Sequence, residues 1–116
     1  MATKDSFGKW GEEYAARYLK QRGFDIIRRN WRSSAGEIDL VAQNAETYVL
    51  CEVKARRSLE FGHPSEAVDA QRLGRLVAAS ELWLEINPGA TVRVDVIAIV
   101  ADRHRVDVEW LQGVAL

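Results

Sequence analysis

The feature that most constrains the fold is a pair of neighbouring apolar runs with charges set among their apolar residues. They lie within residues 36–57, which read GEIDLVAQNAETYVLCEVKARR. Alternating character predicts β-strands at 38–43 and 47–54, joined by a tight turn at 44–46. Charged side chains are rarely buried unless they are paired or bind a metal. Four charges therefore either face water or form a site, and these are Glu37, Asp39, Glu52 and Lys54.

The predicted hairpin sets the spatial relation between these four charges. If its loop is centred on 45–46, Asp39 faces Glu52 and Glu37 faces Lys54. Side chains alternate faces along a strand, so all four leave the same side of the sheet. Opposed residues have Cβ atoms about 5 Å apart, and two carboxylates at that distance repel each other unless a proton or a cation lies between them.

A divalent cation would relieve this repulsion. Carboxylate oxygens suit Mg²⁺ or Mn²⁺, whereas the lone Cys51 and the separated His63 and His104 give no set of zinc ligands. Lys54 would hold a positive charge beside the metal, where it can orient water or stabilise a pentavalent phosphate. This pattern is typical of phosphodiester hydrolysis. Solvated charges on the open face of an antiparallel sheet would give the same spacing, so both interpretations stay open.

The rest of the chain predicts two helices and three further strands. Apolar residues at steps of three and four predict a helix over 7–22, which Gly23 ends. A second helix begins after the cap residue Asp69, carries its apolar face on Leu73, Leu76, Val77, Ser80 and Leu84, and ends at 87–89. The further strands are predicted at 24–31, 92–100 and 105–110.

The element order is therefore α-β-β-β-α-β-β, which predicts an α/β (α+β) fold with a mixed sheet flanked by helices. The length of 116 residues suits one domain over 1–116, with a loose end at 1–5. The most apolar late segment, 92–101, is too short and too charged to span a bilayer, and no signal-peptide pattern opens the chain. With only Cys51 available, no internal disulfide can form. We expect a cytoplasmic protein without membrane contact.

The charge distribution bears on nucleic-acid binding. A net charge of −1 and a pI near 6.1 argue against a protein that coats nucleic acid by bulk attraction. Basic residues nevertheless cluster on both sides of the hairpin, where they either grip phosphates or only solubilise the surface. Trp31 lies in the first cluster and is expected to pack in the core rather than stack on a base. The clusters comprise Arg28, Arg29 and Arg32 in RRNWR and Lys54, Arg56 and Arg57 in KARR.

A series of motifs runs through nearly the whole chain in a fixed order. They are GKWGEEYAARYL (8–19), RRNWR (28–32), GEIDL (36–40), EVKARR (52–57), FGHPSEAV (61–68) and VRVDVIAI (92–99). In this order and spacing they resemble the YraN-like proteins of bacteria, which are similar to Holliday junction resolvases and the PD-(D/E)XK nuclease superfamily. The resemblance implies a restriction-endonuclease-like fold and a metal-dependent endonuclease that acts on DNA rather than RNA, with branched or damaged DNA among the candidate substrates.

The same resemblance implies roles for individual residues. It makes Asp39 and Glu52 the motif acids that bind Mg²⁺ or Mn²⁺, and Lys54 the motif lysine. Glu12, in the GE of the first helix, matches the acid that completes the metal site in resolvase-like members. A solvated helix residue is the alternative for Glu12, because Glu13 beside it shows that acids are common there.

Three further residues have supporting roles by this resemblance. Arg72, on the second helix, stands near where the family is expected to have a lysine, and would help bind nucleic acid. Arginine keeps the charge but offers a planar fork instead of a point donor. Gln71 beside it is a competing polar candidate. Glu37 belongs to the GEIDL signature and, as the cross-strand partner of Lys54, would position that lysine.

Two other function classes remain open from the sequence. Some members of the nuclease superfamily have lost the ability to cut and still bind nucleic acid. A non-catalytic nucleic-acid-binding module is therefore one alternative. A protein-interaction module is the other, since the weak overall charge and the late strands fit an exposed edge. Enzymes that cut junctions need two active sites, which favours a two-fold symmetric homodimer.

Overall fold

A computed structural model describes residues 2–57 and 68–114, with side chains from residue 6 onward. The predicted element order and the mixed α+β architecture are confirmed. Most of the FGHPSEAV motif with His63, and the side chains of the predicted loose end at 1–5, lie outside the described residues. The elements are α1 (Ala2–Gln21), β1 (Asp25–Ser33), β2 (Gly36–Asn44), β3 (Thr47–Arg56), α2 (Ala70–Ile86), β4 (Thr91–Ala101) and β5 (Val106–Leu111).

The five strands form one sheet in the order β1-β2-β3-β4-β5. Among the described strands, β3 and β4 pair in parallel and the other neighbours pair antiparallel, and α2 lies in the crossover between β3 and β4. Helix α1 packs on one face of the sheet through Ala15, Ala16 and Leu19. Helix α2 packs on the other face through Leu76 and its neighbours. Within the described residues, neither helix combines the length and apolar character needed to cross a membrane.

Local sequence signals explain where α1 ends and where α2 begins. Gly23 has φ +92°, and the amides of Gly23 and Phe24 donate to the carbonyls of Lys20 and Leu19 at 3.1 Å, so α1 closes in a Schellman motif. The predicted cap of α2 is also present, because the Asp69 carboxylate accepts from the amide of Arg72 at 2.9 Å. The sequence predicts the end of α1 from Gly23 and the start of α2 from Asp69.

The buried face of α2 is rotated relative to the prediction. Leu84 was predicted to face the core, but it is exposed, and Trp83 is buried in its place. The helix faces the sheet at steps of three and four that end on Trp83. That ring meets Trp31 and Tyr48 edge to face, with centroids 5.1 and 5.3 Å away. The expectation that Trp31 packs in the core is confirmed.

The predicted register of the β2–β3 hairpin is confirmed over the part of the two strands that is paired. Opposed pairs run from Asn44 with Thr47 to Leu40 with Cys51, in the predicted alignment. The β2–β3 pairing ends there. On the other side of β2, the β1 register passes from Arg29–Leu40 to Trp31–Ile38 and skips the position of Asp39 and Asn30. Asn30 has φ +50°, so both ladders are distorted beside Asp39.

Candidate active site

Glu52 is the most deeply buried acid of the predicted set. Its neighbours Cys51 and Val53 pack on the α1 side of the sheet, so period-two alternation turns Glu52 to the α2 side. Only 1% of the residue is exposed. A carboxylate at this depth needs a compensating charge or hydrogen bonds. It therefore depends on whatever α2 places opposite it.

Helix α2 places Arg72 opposite Glu52. The cap at Asp69 fixes Arg72 in the first turn, and its guanidinium binds both carboxylate oxygens of Glu52, through Nε at 3.0 Å and through Nη2 in a shorter bond. Nη2 also donates to the carbonyl of Glu37 at 3.1 Å. The hydrogen bond to Glu52 raises the pKa of Arg72, so the arginine stays charged. This fork-to-fork pair neutralises Glu52.

Lys54 lies two residues further along β3 and leaves the same side of the strand. Its Nζ is 3.5 Å from Oε2 of Glu52, and 40% of its side chain is exposed. The lysine thus touches the buried acid with its amine while part of it remains open to a ligand. Lys54 is therefore a predicted catalytic residue that contacts Glu52 and is also accessible to solvent.

Asp39 lies close to Glu52, although the predicted Asp39–Glu52 strand pair does not form because the β2–β3 pairing ends at Leu40 and Cys51. Its Oδ2 accepts from the amide of Val53 at 2.8 Å, at the point where β2 and β3 cease to pair. Burial, followed by the charge of Glu52, raises the pKa of Asp39 to about 8. At neutral pH this carboxylate is therefore held mainly in its protonated form, unless a cation joins it.

Glu12 reaches the same cluster from α1. Gly11 makes this approach possible, because a Cβ at that position would lie 2.8 Å from the Cβ of Ala55 on β3. Burial and then the charge of Glu37 raise the pKa of Glu12, whereas its hydrogen bond with Asn30 lowers it. The charges of Glu52 and Asp39 also interact with Glu12. The structure therefore brings together Glu12, Glu37, Asp39 and Glu52.

The predicted pairing of Glu37 with Lys54 is wrong. Among the described residues, the carboxylate of Glu37 lies 3.4 Å from Nε of Arg32, and Lys54 pairs with Glu52. The reason is the end of the β2–β3 ladder at Leu40, after which residue 37 pairs only with β1. Glu37 contributes its backbone carbonyl to Arg72 instead of positioning the lysine.

The predicted phosphate-binding arginines occupy two separate regions. Arg28, Arg29 and Arg32 are exposed on the edge strand β1, and Arg29 binds Glu13 at 3.0 Å. At the end of β3, the guanidinium of Arg57 lies over the ring of Phe7, 4.5 Å from its centroid. Arg56 ends β3, and its buried Nε has no hydrogen-bond partner within the described residues. Gln71, the polar residue predicted to compete with Arg72, is exposed in the first turn of α2.

Two contacts were missed from the sequence. The chelation of Glu52 by Arg72 depends on where α2 crosses the sheet, which no local pattern reveals. The hydrogen bond between Asn30 and Glu12 had a weak signal, because an asparagine inside a strand-like run marks a position that tolerates positive φ.

The donors fit a hard divalent cation in kind but not in their present arrangement. Carboxylate oxygens are the ligands such ions prefer, and burial, followed by the charge of Glu52, raises the pKa of Asp39. Both oxygens of Glu52, however, are held by Arg72. Across residues 2–57 and 68–114, no group of three or more His, Cys, Asp or Glu side chains is arranged to hold a metal. A cation needs Arg72 to release Glu52.

Comparison with known proteins identifies relatives along the whole chain. The family model described as uncharacterised protein family UPF0102 matches residues 11–99. A UPF0102 protein of Beutenbergia cavernae is 44% identical over 98% of this chain and 99% of its own length. One from an Arthrobacter species is 45% identical, with the same coverage of both chains. UPF0102 is the family of YraN-like proteins, so the motif resemblance is confirmed at the level of the family.

Proposed function

The chain belongs to the UPF0102 family, and we propose that it is a metal-dependent nuclease that hydrolyses phosphodiester bonds of DNA. The observation that carries this proposal is the acid pair beside an accessible lysine. Asp39 has its pKa raised to about 8 next to Glu52, and Lys54 lies 3.5 Å from the same carboxylate. Strongly perturbed acids that share a site with a partly exposed cation are characteristic of catalytic centres.

Asp39 and Glu52 are the residues that would hold a Mg²⁺ or Mn²⁺ ion, with Glu12 as a further acid within electrostatic reach. When bound, such an ion lowers the pKa of water and neutralises charge on phosphate. Lys54 supplies a fixed positive charge at the rim, where it stabilises the negative charge that develops on the phosphate oxygens. The amide of Val53 donates to Asp39 and holds this carboxylate beside Glu52.

The arginines support DNA as the substrate class. Arg28 and Arg32 are exposed on the edge strand, and Arg57 directly follows the end of β3, so positive charge is available on two sides of the acid cluster. Contacts of this type position a nucleic-acid backbone without reading its sequence. We propose branched or damaged DNA as the preferred form, with a two-fold dimer for substrates that have two cleavage points. Action on DNA and the buried free Cys51 agree with a reducing cytoplasm.

The test is a cleavage assay of the purified protein on labelled duplex, single-stranded, flap and four-way DNA, with Mg²⁺, Mn²⁺ or EDTA. The proposal expects cleavage of at least one substrate with metal and none with EDTA. Asp39→Asn should abolish cutting while the protein remains folded. Calorimetry should show Mn²⁺ binding by the wild type and clear loss in Asp39→Ala or Glu52→Ala. Equal heats for all three proteins would contradict the metal site.

One observation favours a second candidate, a nucleic-acid-binding module without catalysis. Arg72 already neutralises Glu52, so the site is electrostatically satisfied at that residue without a metal. A module of this kind would bind DNA with a strong salt dependence, unchanged by EDTA, and would show no turnover. The same assay, repeated as a binding measurement at two salt concentrations, separates the two candidates.

A further inference from the structure

The bond between Arg72 and Glu52 occupies the atoms that a metal would need. Glu52 has two carboxylate oxygens, and the guanidinium of Arg72 donates to each of them. Lys54 approaches one of these oxygens as well. A carboxylate in this state cannot take a divalent cation without giving up part of its bonding to the guanidinium. The two cations are therefore competitors for the same acid.

Asp39, the neighbouring acid, has no such chelating arginine among the described residues. Asp39 accepts from the amide of Val53, and among the described residues the arginine and lysine of the site form their ion pairs with Glu52 and not with Asp39. The monovalent guanidinium satisfies one carboxylate of the pair and leaves the other short of positive charge. A divalent cation placed between them would serve both acids at once, because it carries twice the charge and binds oxygen from several directions.

We propose that Arg72 is a built-in placeholder for a divalent cation, which neutralises Glu52 in the metal-free protein and releases it when a cation binds Asp39 and Glu52. This inference rests on the metal site of the proposed function. It adds that metal binding frees a guanidinium at the rim of the site, where it can take a phosphate oxygen of the nucleic acid. Arg72 thereby couples the two binding events.

The position of Arg72 suits such an exchange. All its bonds to the site are made by the guanidinium, at the end of a long side chain, and 23% of that side chain is exposed. Its own amide is held separately by Asp69, so the first turn of α2 stays capped when the side chain turns away. Release therefore requires rotation of one side chain and leaves the backbone in place.

The chain contains a matched pair that should not exchange. Arg93 binds both oxygens of Asp95 at 2.9 Å, and Asp95 is fully buried on the neighbouring strand. Asp95 also accepts from Nε1 of Trp110 at 2.8 Å and from the amide of Gly113 at 3.0 Å. Four donors on one carboxylate leave little room for a metal. The Arg93–Asp95 pair is the internal control for the Arg72–Glu52 pair.

The experiment measures melting temperature in EDTA and in excess Mn²⁺ for the wild type, Arg72→Gln and Arg93→Gln. Removing either arginine leaves a buried carboxylate uncompensated, so both variants should melt roughly 10–20 °C lower in EDTA. Mn²⁺ should restore at least about half of the loss in Arg72→Gln and almost none in Arg93→Gln. Calorimetry should show that Arg72→Gln binds Mn²⁺ at least about tenfold more tightly than the wild type, because the competitor is gone.

Two further variants keep the test decisive. If Arg72→Gln does not fold, Arg72→Lys retains a charge without the two-pronged chelate and should still tighten Mn²⁺ binding by several fold. Adding Glu52→Gln to Arg72→Gln should remove the Mn²⁺ rescue, since the acid that receives the metal is then neutral. Rescue that persists in this double variant would overturn the proposal.

Other outcomes would also overturn it. Absent rescue in a folded Arg72→Gln protein, or loss of Mn²⁺ binding in that variant, would mean that Arg72 positions Glu52 instead of competing for it. Equal rescue of Arg93→Gln would mean that Mn²⁺ acts elsewhere. None of these readouts uses DNA, so their outcome is independent of the cleavage assay that tests the proposed function. If the protein exchanges Arg72 for Mn²⁺ but cuts no DNA, the proposal for Arg72 stands and the nuclease proposal is wrong.

Discussion

Two buried carboxylates on adjacent strands have opposite surroundings. Glu52 on β3 and Asp95 on β4 are 1% and 0% exposed, and each is chelated by an arginine. Their strands pair in parallel, with Cys51 beside Asp95. Because Cys51 packs on the α1 side and alternation turns Glu52 to the α2 side, the two acids lie on opposite faces of the sheet. They share burial and charge and differ in their partners.

The two ion pairs differ in where the arginine comes from and in what else surrounds the carboxylate. Asp95 takes its arginine from its own strand, two residues away, and completes its bonding with a tryptophan and a backbone amide. Glu52 takes its arginine from a helix 20 positions further along the chain and stands beside a second acid, Asp39, whose pKa is raised to about 8. The closed hydrogen-bond shell of Asp95 stabilises the fold, whereas the acid pair of Asp39 and Glu52 is where we propose that a cation binds.

The largest expected effect belongs to Lys54, since no lysine forms an ion pair with Asp95 among the residues that the structure describes. If Lys54 stabilises charge in the transition state, Lys54→Ala should lower turnover by at least about 100-fold and weaken DNA binding by less than about threefold. Cleavage rates and binding isotherms on the same DNA measure both. Lys20→Ala, an exposed lysine at the end of α1, is the matched control and should change neither. Lower affinity with unchanged turnover would place Lys54 in binding only.

The next effect sharpens the comparison from the structural side. Asp95→Ala removes the acceptor of Arg93, Trp110 and Gly113 together, and should cost about 3–5 kcal/mol in the free energy of unfolding. The fraction that remains folded should bind Mn²⁺ with the affinity of the wild type. Denaturant unfolding and calorimetry test the two statements. A loss of Mn²⁺ affinity would show that Asp95 belongs to the site, and the contrast with Glu52 would fail.

Stability should also depend on pH through Asp39. Its pKa is about 8 in the folded protein against an ordinary value of 3.8, so the folded state holds a proton that the unfolded chain has lost. Stability is then highest below pH 4 for this group and falls as pH rises towards 8, by up to about 1.4 kcal/mol per unit. Denaturant unfolding in EDTA between pH 5 and 8 measures the slope.

Asp39→Asn is the control for this pH dependence. It removes the titrating group and keeps an oxygen for the amide of Val53, so the slope should flatten. Saturating Mn²⁺ should reduce the slope in the wild type, because a cation favours the ionised carboxylate. An identical slope in wild type and Asp39→Asn would assign the pH dependence to other groups.

Much of this contrast was within reach of the sequence. The turn at 44–46 and the period-two alternation predicted the register that brings Asp39 and Glu52 together, and five opposed pairs confirm that alignment. The absence of a Glu37–Lys54 pair was not predictable in the same way, because the β2–β3 pairing ends at Leu40 and Cys51 while β2 stays paired with β1. The point at which two strands separate leaves no periodic signal in the sequence.

The partners of the two buried acids could not be predicted from local patterns either. In the sequence, Arg93 and Asp95 only interrupt an apolar strand. Their closed shell depends on Trp110 and Gly113, which return to them through the β4–β5 pairing. Arg72 was recognised as a cation on the second helix, but its attachment to Glu52 follows from the angle at which α2 crosses the sheet. Tertiary packing decides both.

The smallest expected effect concerns the exposed arginines on β1. Arg28→Ala and Arg32→Ala should each weaken DNA binding by a few fold and lower the salt slope of log affinity by about one unit, without lowering turnover at saturating DNA. Arg103→Ala, on the β4–β5 turn, is the matched control for loss of one surface charge. Binding isotherms at three salt concentrations measure the slopes. Unchanged slopes in both β1 variants would remove this edge from the DNA-binding surface.

The central claim is that Glu52, unlike Asp95, can exchange its guanidinium for a divalent cation shared with Asp39. Anomalous diffraction from crystals grown with Mn²⁺, collected at the manganese edge, tests this most directly. The account predicts one strong peak about 2.0–2.6 Å from oxygens of Asp39 and Glu52, with Arg72 turned away and Arg93 still on Asp95. A structure at saturating Mn²⁺ with no peak at these acids, and with Arg72 still chelating Glu52, would contradict it.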